Sequence, residues 1–224
     1  MTKTSTAKVQ PVHDGAASEL GFDTARLARV RESVLADIDG GRCHGVSMIV
    51  ARHGSVVLDV CEGYADKAAG RALERDAVFA TMSVAKQFTN VLALSLVERG
   101  LLNLHTPVAD LIPEFATLGK EKVNLFHLLT HTSGIMSAIP PVPPEVLTNI
   151  EELVAFACGL PLESQPGERV NYSILLGHSI IAALCRRADG RGRRYADMLR
   201  EDLFEPLGMR DTSLGGRDDL MPRL

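Results

Sequence analysis

No run of apolar residues in the sequence approaches the ~20 that a membrane span needs, and the first twenty residues hold no apolar stretch of signal-peptide length. The expectation is therefore a cytoplasmic protein with no membrane partner. A basic patch is also missing. The formal net charge is −4, and the cations are scattered apart from a short run at Arg191, Arg193 and Arg194, so no nucleic-acid partner is expected. The four cysteines (Cys43, Cys61, Cys158 and Cys185) form no C-x-x-C pair, which argues against a zinc ribbon and against a thioredoxin-type motif. They read as small buried hydrophobes in a reducing compartment. His127 and His131 have i, i+4 spacing, but "HLLTH" lacks the glutamate of H-E-x-x-H and shows no third ligand, so no metal is expected. The P-loop and G-x-G-x-x-G are absent, and no cofactor is implied. The G-x-S-x-G elbow is missing too: "GHSII" and "GVSMI" both fail at the second glycine. No dense carboxylate pair stands out for glycoside hydrolysis.

What remains is an ordinary globular composition, 46% hydrophobic and 23% charged, in a chain long enough for one large domain or a domain plus a small lobe. Residues 1–20 read as a disordered tail. A helix is predicted in "DTARLARVRESVLADIDGG". Asp23 caps it, Leu27, Val30, Val34, Leu35 and Ile38 form its apolar stripe, and Gly40–Gly41 stop it. A hairpin follows, two valine-rich runs joined around His53–Gly54. From Ser83 the period turns helical, and Phe88, Val91, Leu92, Leu94, Leu96 and Val97 predict a helix apolar nearly all round and buried, ending at Gly100. Thr148-x-x-Glu151 reads as a capping box opening "NIEELVAFACG". Another helix runs from near Ser173 to Asp189–Gly190, and a last one covers "RYADMLREDLFEPLG". A lone hairpin is marginal and needs more strands, which the remaining sequence does not obviously offer.

Within "FATMSVAKQFTN", Ser83 and Lys86 are three residues apart and share a helix face. A lysine beside a serine hydroxyl is one way to make the serine nucleophilic without a histidine. The first-turn N–H groups lack intrahelical partners and would meet an oxyanion formed there. Lys86 could take the serine proton when neutral, or stabilise a phenolate when charged. The same spacing equally suits an N-cap serine and a lysine whose head reaches solvent. The tetrapeptide is weak by itself, because "STAK" at residues 5–8 repeats it in the expected tail.

Four blocks taken together are more specific. "FATMSVAKQFTNVLALSLVERGLLNLHTPVADLIPEF", "VNLFHLLTHTSGI", "PGERVNYSILLGHSIIAAL" and "LFEPLGMRDTS" follow one another in order, within a stretch from about residue 21 to 215. In this the sequence resembles the serine β-lactamase and penicillin-binding-protein superfamily, in particular class C-type β-lactamases, family VIII carboxylesterases and related acyltransferases. The resemblance implies an α+β fold of the β-lactamase/transpeptidase type, an antiparallel sheet flanked by helices beside an all-helical lobe, with the active site between them. The catalytic domain would span 21–224, with the helix and hairpin at 21–65 and the helical lobe at about 80–215. It implies Ser83 as the acylated nucleophile and Lys86 as its base or electrostatic partner. Tyr172, at the tyrosine of the family's Tyr-x-Asn motif, would be the general base; since a free tyrosine has a pKa near 10, it would need Lys86 to act as a phenolate. "HLLTHTSG" would be a structural loop bordering the site, with no chemistry assigned to His131 or Ser133.

Two departures from the pattern matter. The third position of the tyrosine motif is Ile174, which has no amide to hold a substrate's acyl-amide group. Discrimination for β-lactams and peptides should fall, and simple esters should suffer less. Family members also run well past this length, ending in strands that carry a Lys/His/Trp-x-Gly motif. The sheet is therefore expected to be incomplete: the sequence is a fragment of a longer protein, or an oligomer or second chain completes it, or it is a degenerate relative. The implied activity is a serine hydrolase acting on small acyl esters through an acyl-enzyme on Ser83. An acyltransferase or β-lactamase of the same superfamily is the neighbouring alternative. A non-catalytic or partner-completed half-domain is the alternative of another class.

Overall fold

The computed structural model describes residues 13–14 and 16–224. Their contacts divide the chain into two units. One holds the residues up to Ala80 together with Arg217–Leu224, the other Thr81–Gly216.

The first unit is a small sheet with one helix. Helix α1 (Thr24–Asp39) starts where Asp23 accepts the Arg26 backbone N–H at 3.0 Å, and it ends at Gly40. Leu27, Val34, Leu35 and Ile38 are its half-buried stripe, and Val30 lies exposed. Strands β2 (Gly45–Arg52) and β3 (Ser55–Asp66) make the expected antiparallel hairpin. Its turn is His53–Gly54, both with positive φ (51° and 77°), the two-residue geometry whose twist matches the strands. The further strands are two-residue pieces with no readable period. Strand β1 (His13–Asp14) pairs parallel with β3, and β4 (Arg71–Ala72) pairs antiparallel with it. Of the tail expected over 1–20, residues 1–12 and 15, with the "STAK" repeat, lie outside the described residues. Residues 16–22 form a hydrogen-bonded turn.

The second unit is helical: α2 (Lys86–Glu98), α3 (Val108–Leu111), α4 (Leu125–Leu129), α5 (Pro144–Leu147), α6 (Ile150–Cys158), α7 (Leu176–Asp189) and α8 (Tyr195–Leu199). The whole is thus an α+β chain, as expected. Helix α7 is the hub, packed against α2, α4 and α6, and nine of its residues from Leu176 to Cys185 are buried. It ends at Gly190 in the left-handed conformation. Helix α2 differs from expectation. Thr89, Leu92, Ala93 and Leu96 form one buried stripe at i, i+3, i+4, i+7, while Val91 and Leu94 on the far side are 48% and 46% exposed. The expected cap of α6 is also corrected. Asn149 accepts the Glu151 and Glu152 N–H groups at 3.0 and 3.4 Å, because the Thr148 hydroxyl is already bound to the Glu145 carbonyl, closing α5. The last helix continues α8 as a single π-type turn over Arg200–Phe204. Of the four cysteines only Cys185 is buried; the other three are half-buried, and all are free thiols. Among the described residues no helix is long and apolar enough to cross a membrane.

Candidate functional site

The backbone is strained one residue before Ser83. Met82 has φ 46°, a left-handed conformation that a methionine rarely adopts, and its side chain is 82% exposed. A 3₁₀ turn over Met82–Ala85 follows and leads directly into α2. Side chains three apart eclipse in a 3₁₀ turn, more closely than on the α-helix expected from the sequence. The Lys86 Nζ accordingly donates to the Ser83 Oγ at 3.3 Å. Ser83 itself is exposed and Lys86 half-buried.

Tyr172 comes from a segment with no helix or strand, yet it meets this pair. The Lys86 Nζ lies 4.9 Å from its ring centroid. The Lys86 side chain first, and the Ser83 hydroxyl second, hold its pKa below the usual 10.0. Such a phenol gives up its proton more readily than free tyrosine, although it is 45% exposed. The structure therefore brings Ser83, Lys86 and Tyr172 together, all within the helical unit.

The "HLLTHTSG" stretch supplies the frame for Tyr172. The His131 carbonyl accepts the Asn171 N–H at 2.8 Å, and the His131 Nδ1 accepts the Ser173 N–H at 3.2 Å. The Ser173 hydroxyl donates to the Met136 carbonyl at 3.0 Å and accepts the Gly177 N–H at the start of α7. The Ile174 N–H reaches the Ser137 carbonyl, and the Glu163 carboxylate binds both the Asn171 amide and the Ser137 N–H. Gly134 has no alternative here, because its φ is 74° and a Cβ would collide with the Ser164 carbonyl oxygen. His127 is spoken for as well: its Nδ1 accepts the Asn124 N–H while Asn124 caps α4 in return. Among the described residues no cluster of three or more His, Cys, Asp or Glu side chains could hold a metal.

Two histidines that the sequence left without a role sit behind Tyr172. The His131 ring is 4.6 Å from the Tyr172 ring and 5.4 Å from that of His178. His178, 9% exposed, is hydrogen-bonded through Nε2 to the Asn90 Oδ1 at 3.0 Å, which ties α7 to α2 one turn beyond Lys86. Burial, then His131 and Lys86, push its pKa down to about 4, so the ring stays uncharged at neutral pH. The available signal was modest: a histidine in the largely apolar first half of α7, and the i, i+4 spacing of Lys86 and Asn90.

The Beta-lactamase family model matches residues 30–224. The esterase EstB of Burkholderia gladioli is 33% identical over 205 residues, which cover 84% of this chain and 50% of that protein. Among solved structures, a penicillin-binding protein homologue from Caulobacter crescentus superposes with a TM-score of 0.78 at 29% identity, covering 88% of this chain and 53% of that one. A family VIII carboxylesterase superposes with a TM-score of 0.79 at 25% identity, covering 96% and 56%. The chain thus spans about half the length of the relatives it matches.

Proposed function

Because the chain belongs to the Beta-lactamase family of serine hydrolases, which takes in esterases, penicillin-binding proteins and β-lactamases, we propose that it carries the nucleophilic site of a carboxylesterase acting on small acyl esters. The observation that carries this reading is the hydrogen bond from Lys86 to the Ser83 hydroxyl, with the lowered Tyr172 phenol against the same lysine. The Ser83 Oγ attacks the ester carbonyl carbon while its proton passes to the Tyr172 phenolate, which Lys86 stabilises as a cation. The oxyanion forms beside the Ser83 backbone N–H, since the next N–H, that of Val84, is already bound to the Thr81 carbonyl. Collapse expels the alcohol, which takes the proton from Tyr172, and leaves Ser83 acylated. Water, deprotonated by the same tyrosine, then adds to the acyl carbon; collapse breaks the bond to Ser83 Oγ, which takes that proton back from Tyr172, and the acid leaves.

Ile174 supports esters over amides. An acyl-amide group brought to that position finds an apolar side chain where it needs a hydrogen-bonding partner, and an unpaired amide costs about 1–3 kcal/mol. Initial rates on p-nitrophenyl acetate and on a chromogenic cephalosporin test the reading directly. The ester should turn over with the higher kcat/KM. Faster turnover of the cephalosporin would make the site that of a β-lactamase. Adding an alcohol to the ester assay and measuring the product ratio separates hydrolysis from acyl transfer, since only the acceptor differs.

A further inference from the structure

We propose that His131 is the positioning residue of this site: its carbonyl and its imidazole Nδ1 take the two peptide N–H groups that flank Tyr172, and this clamp holds the phenol beside Lys86 while the ring is neutral. The bonds at 2.8 Å to Asn171 and 3.2 Å to Ser173 fix the backbone on both sides of the tyrosine. Tyr172 lies outside any helix or strand, so these contacts do for it what a strand ladder does elsewhere. The face of the His131 ring, 4.6 Å away and tilted by 43°, limits where the phenol can swing. His131 itself sits at φ 56°, a conformation that costs a non-glycine residue energy and that turns its carbonyl and its ring toward the same segment.

The Nδ1 acceptor role fixes the tautomer. A neutral ring that accepts at Nδ1 carries its proton on Nε2, and a protonated ring has N–H on both nitrogens and can no longer accept from Ser173. Protonation of His131 therefore opens the clamp on one side and places a second cation near Lys86. Among the described residues the titratable groups that face the ring are Lys86 from α2, Tyr172 from its own segment and His178 from α7. Burial, with Lys86 as the second cause, keeps His131 below the usual 6.5, so the clamp is closed at neutral pH.

The significance for catalysis rests on the hydrolase reading above; the clamp itself does not. The chain has three tyrosines, Tyr64, Tyr172 and Tyr195, so their ring carbons are resolvable by NMR after ¹³C-tyrosine labelling. In His131→Ala the Tyr172 titration should move up toward that of free tyrosine, because the phenol is released from Lys86. In His131→Asn it should stay at the parent's low position, since asparagine tolerates positive φ and offers Oδ1 as the acceptor. A His131→Ala variant that is folded by circular dichroism with Tyr172 titrating as in the parent would overturn the inference. So would a His131→Asn variant that shifts as far as His131→Ala. If His131→Ala does not fold, long-range ¹H–¹⁵N spectra of the unsubstituted chain decide: a proton on Nε2 supports the clamp, and one on Nδ1 contradicts it. Failure of the hydrolase reading registers separately, as absence of labelling on Ser83, and leaves these titrations as they are.

Discussion

A serine hydroxyl becomes a nucleophile through what surrounds it, and around Ser83 the surroundings are few and specific. Lys86 is one 3₁₀ turn away, Tyr172 is drawn in from the segment before α7, and a strained methionine precedes it. The neutral histidines behind Tyr172 complete the setting and have a measurable consequence. His178 has a folded-state pKa of about 4 against the usual 6.5, so the folded chain binds fewer protons than the unfolded chain between those values. Stability therefore falls as pH drops from 6.5 toward 4, by roughly 3 kcal/mol from this residue once both states are protonated. Carboxylates held low by arginines, Asp202 by Arg193 for one, lose their contribution mainly below the usual 3.8, whereas His127 and His131, also held low by burial, add to the fall in the same direction. Urea midpoints at pH 7 and pH 4.5 check the point. The drop should be smaller in His178→Leu than in the parent, and equal drops would count against it.

Elements were legible where their signals are local. The Asp23 cap, the His53–Gly54 turn and the Gly190 stop each lie within a few residues of what they determine, and all three are as the sequence predicts. The α6 cap was misplaced by one residue, because the Thr148-x-x-Glu151 spacing fits a capping box equally well while the backbone makes Asn149 the extended residue, at φ −114° and ψ 110°. The two readings differ in outcome. Asn149→Ala should cost about 1 kcal/mol as a lost N-cap, and Thr148→Ala less than about 0.5 kcal/mol, by urea denaturation. Reversed magnitudes would restore the original assignment. Strands β1 and β4 were not readable because two residues carry no alternation. The buried stripe of α2 was hidden for the opposite reason: apolar residues on both faces leave no period to select one.

Across the whole molecule the family match runs through both units, while Ser83, Lys86 and Tyr172 all fall in the helical one. The Ser83–Lys86 pair was visible as spacing, and Tyr172 only through the ordered blocks of the resemblance. Of the frame, the resemblance implied only that "HLLTHTSG" borders the site, and the bonds that make it were not visible. His131 meets Ser173 across 42 positions of sequence, and His178 meets Asn90 across 88, so their roles exist only once α2, α4 and α7 have packed. The chain spans about half the length of its relatives, which makes an activated Ser83 within these residues the central claim. Intact and peptide mass spectrometry after exposure to a fluorophosphonate probe measures it, with Ser83→Ala alongside. A single adduct on the Ser83 peptide, absent from the variant, is the result expected. Folded protein that takes up no adduct, or labels equally in Ser83→Ala, would contradict it.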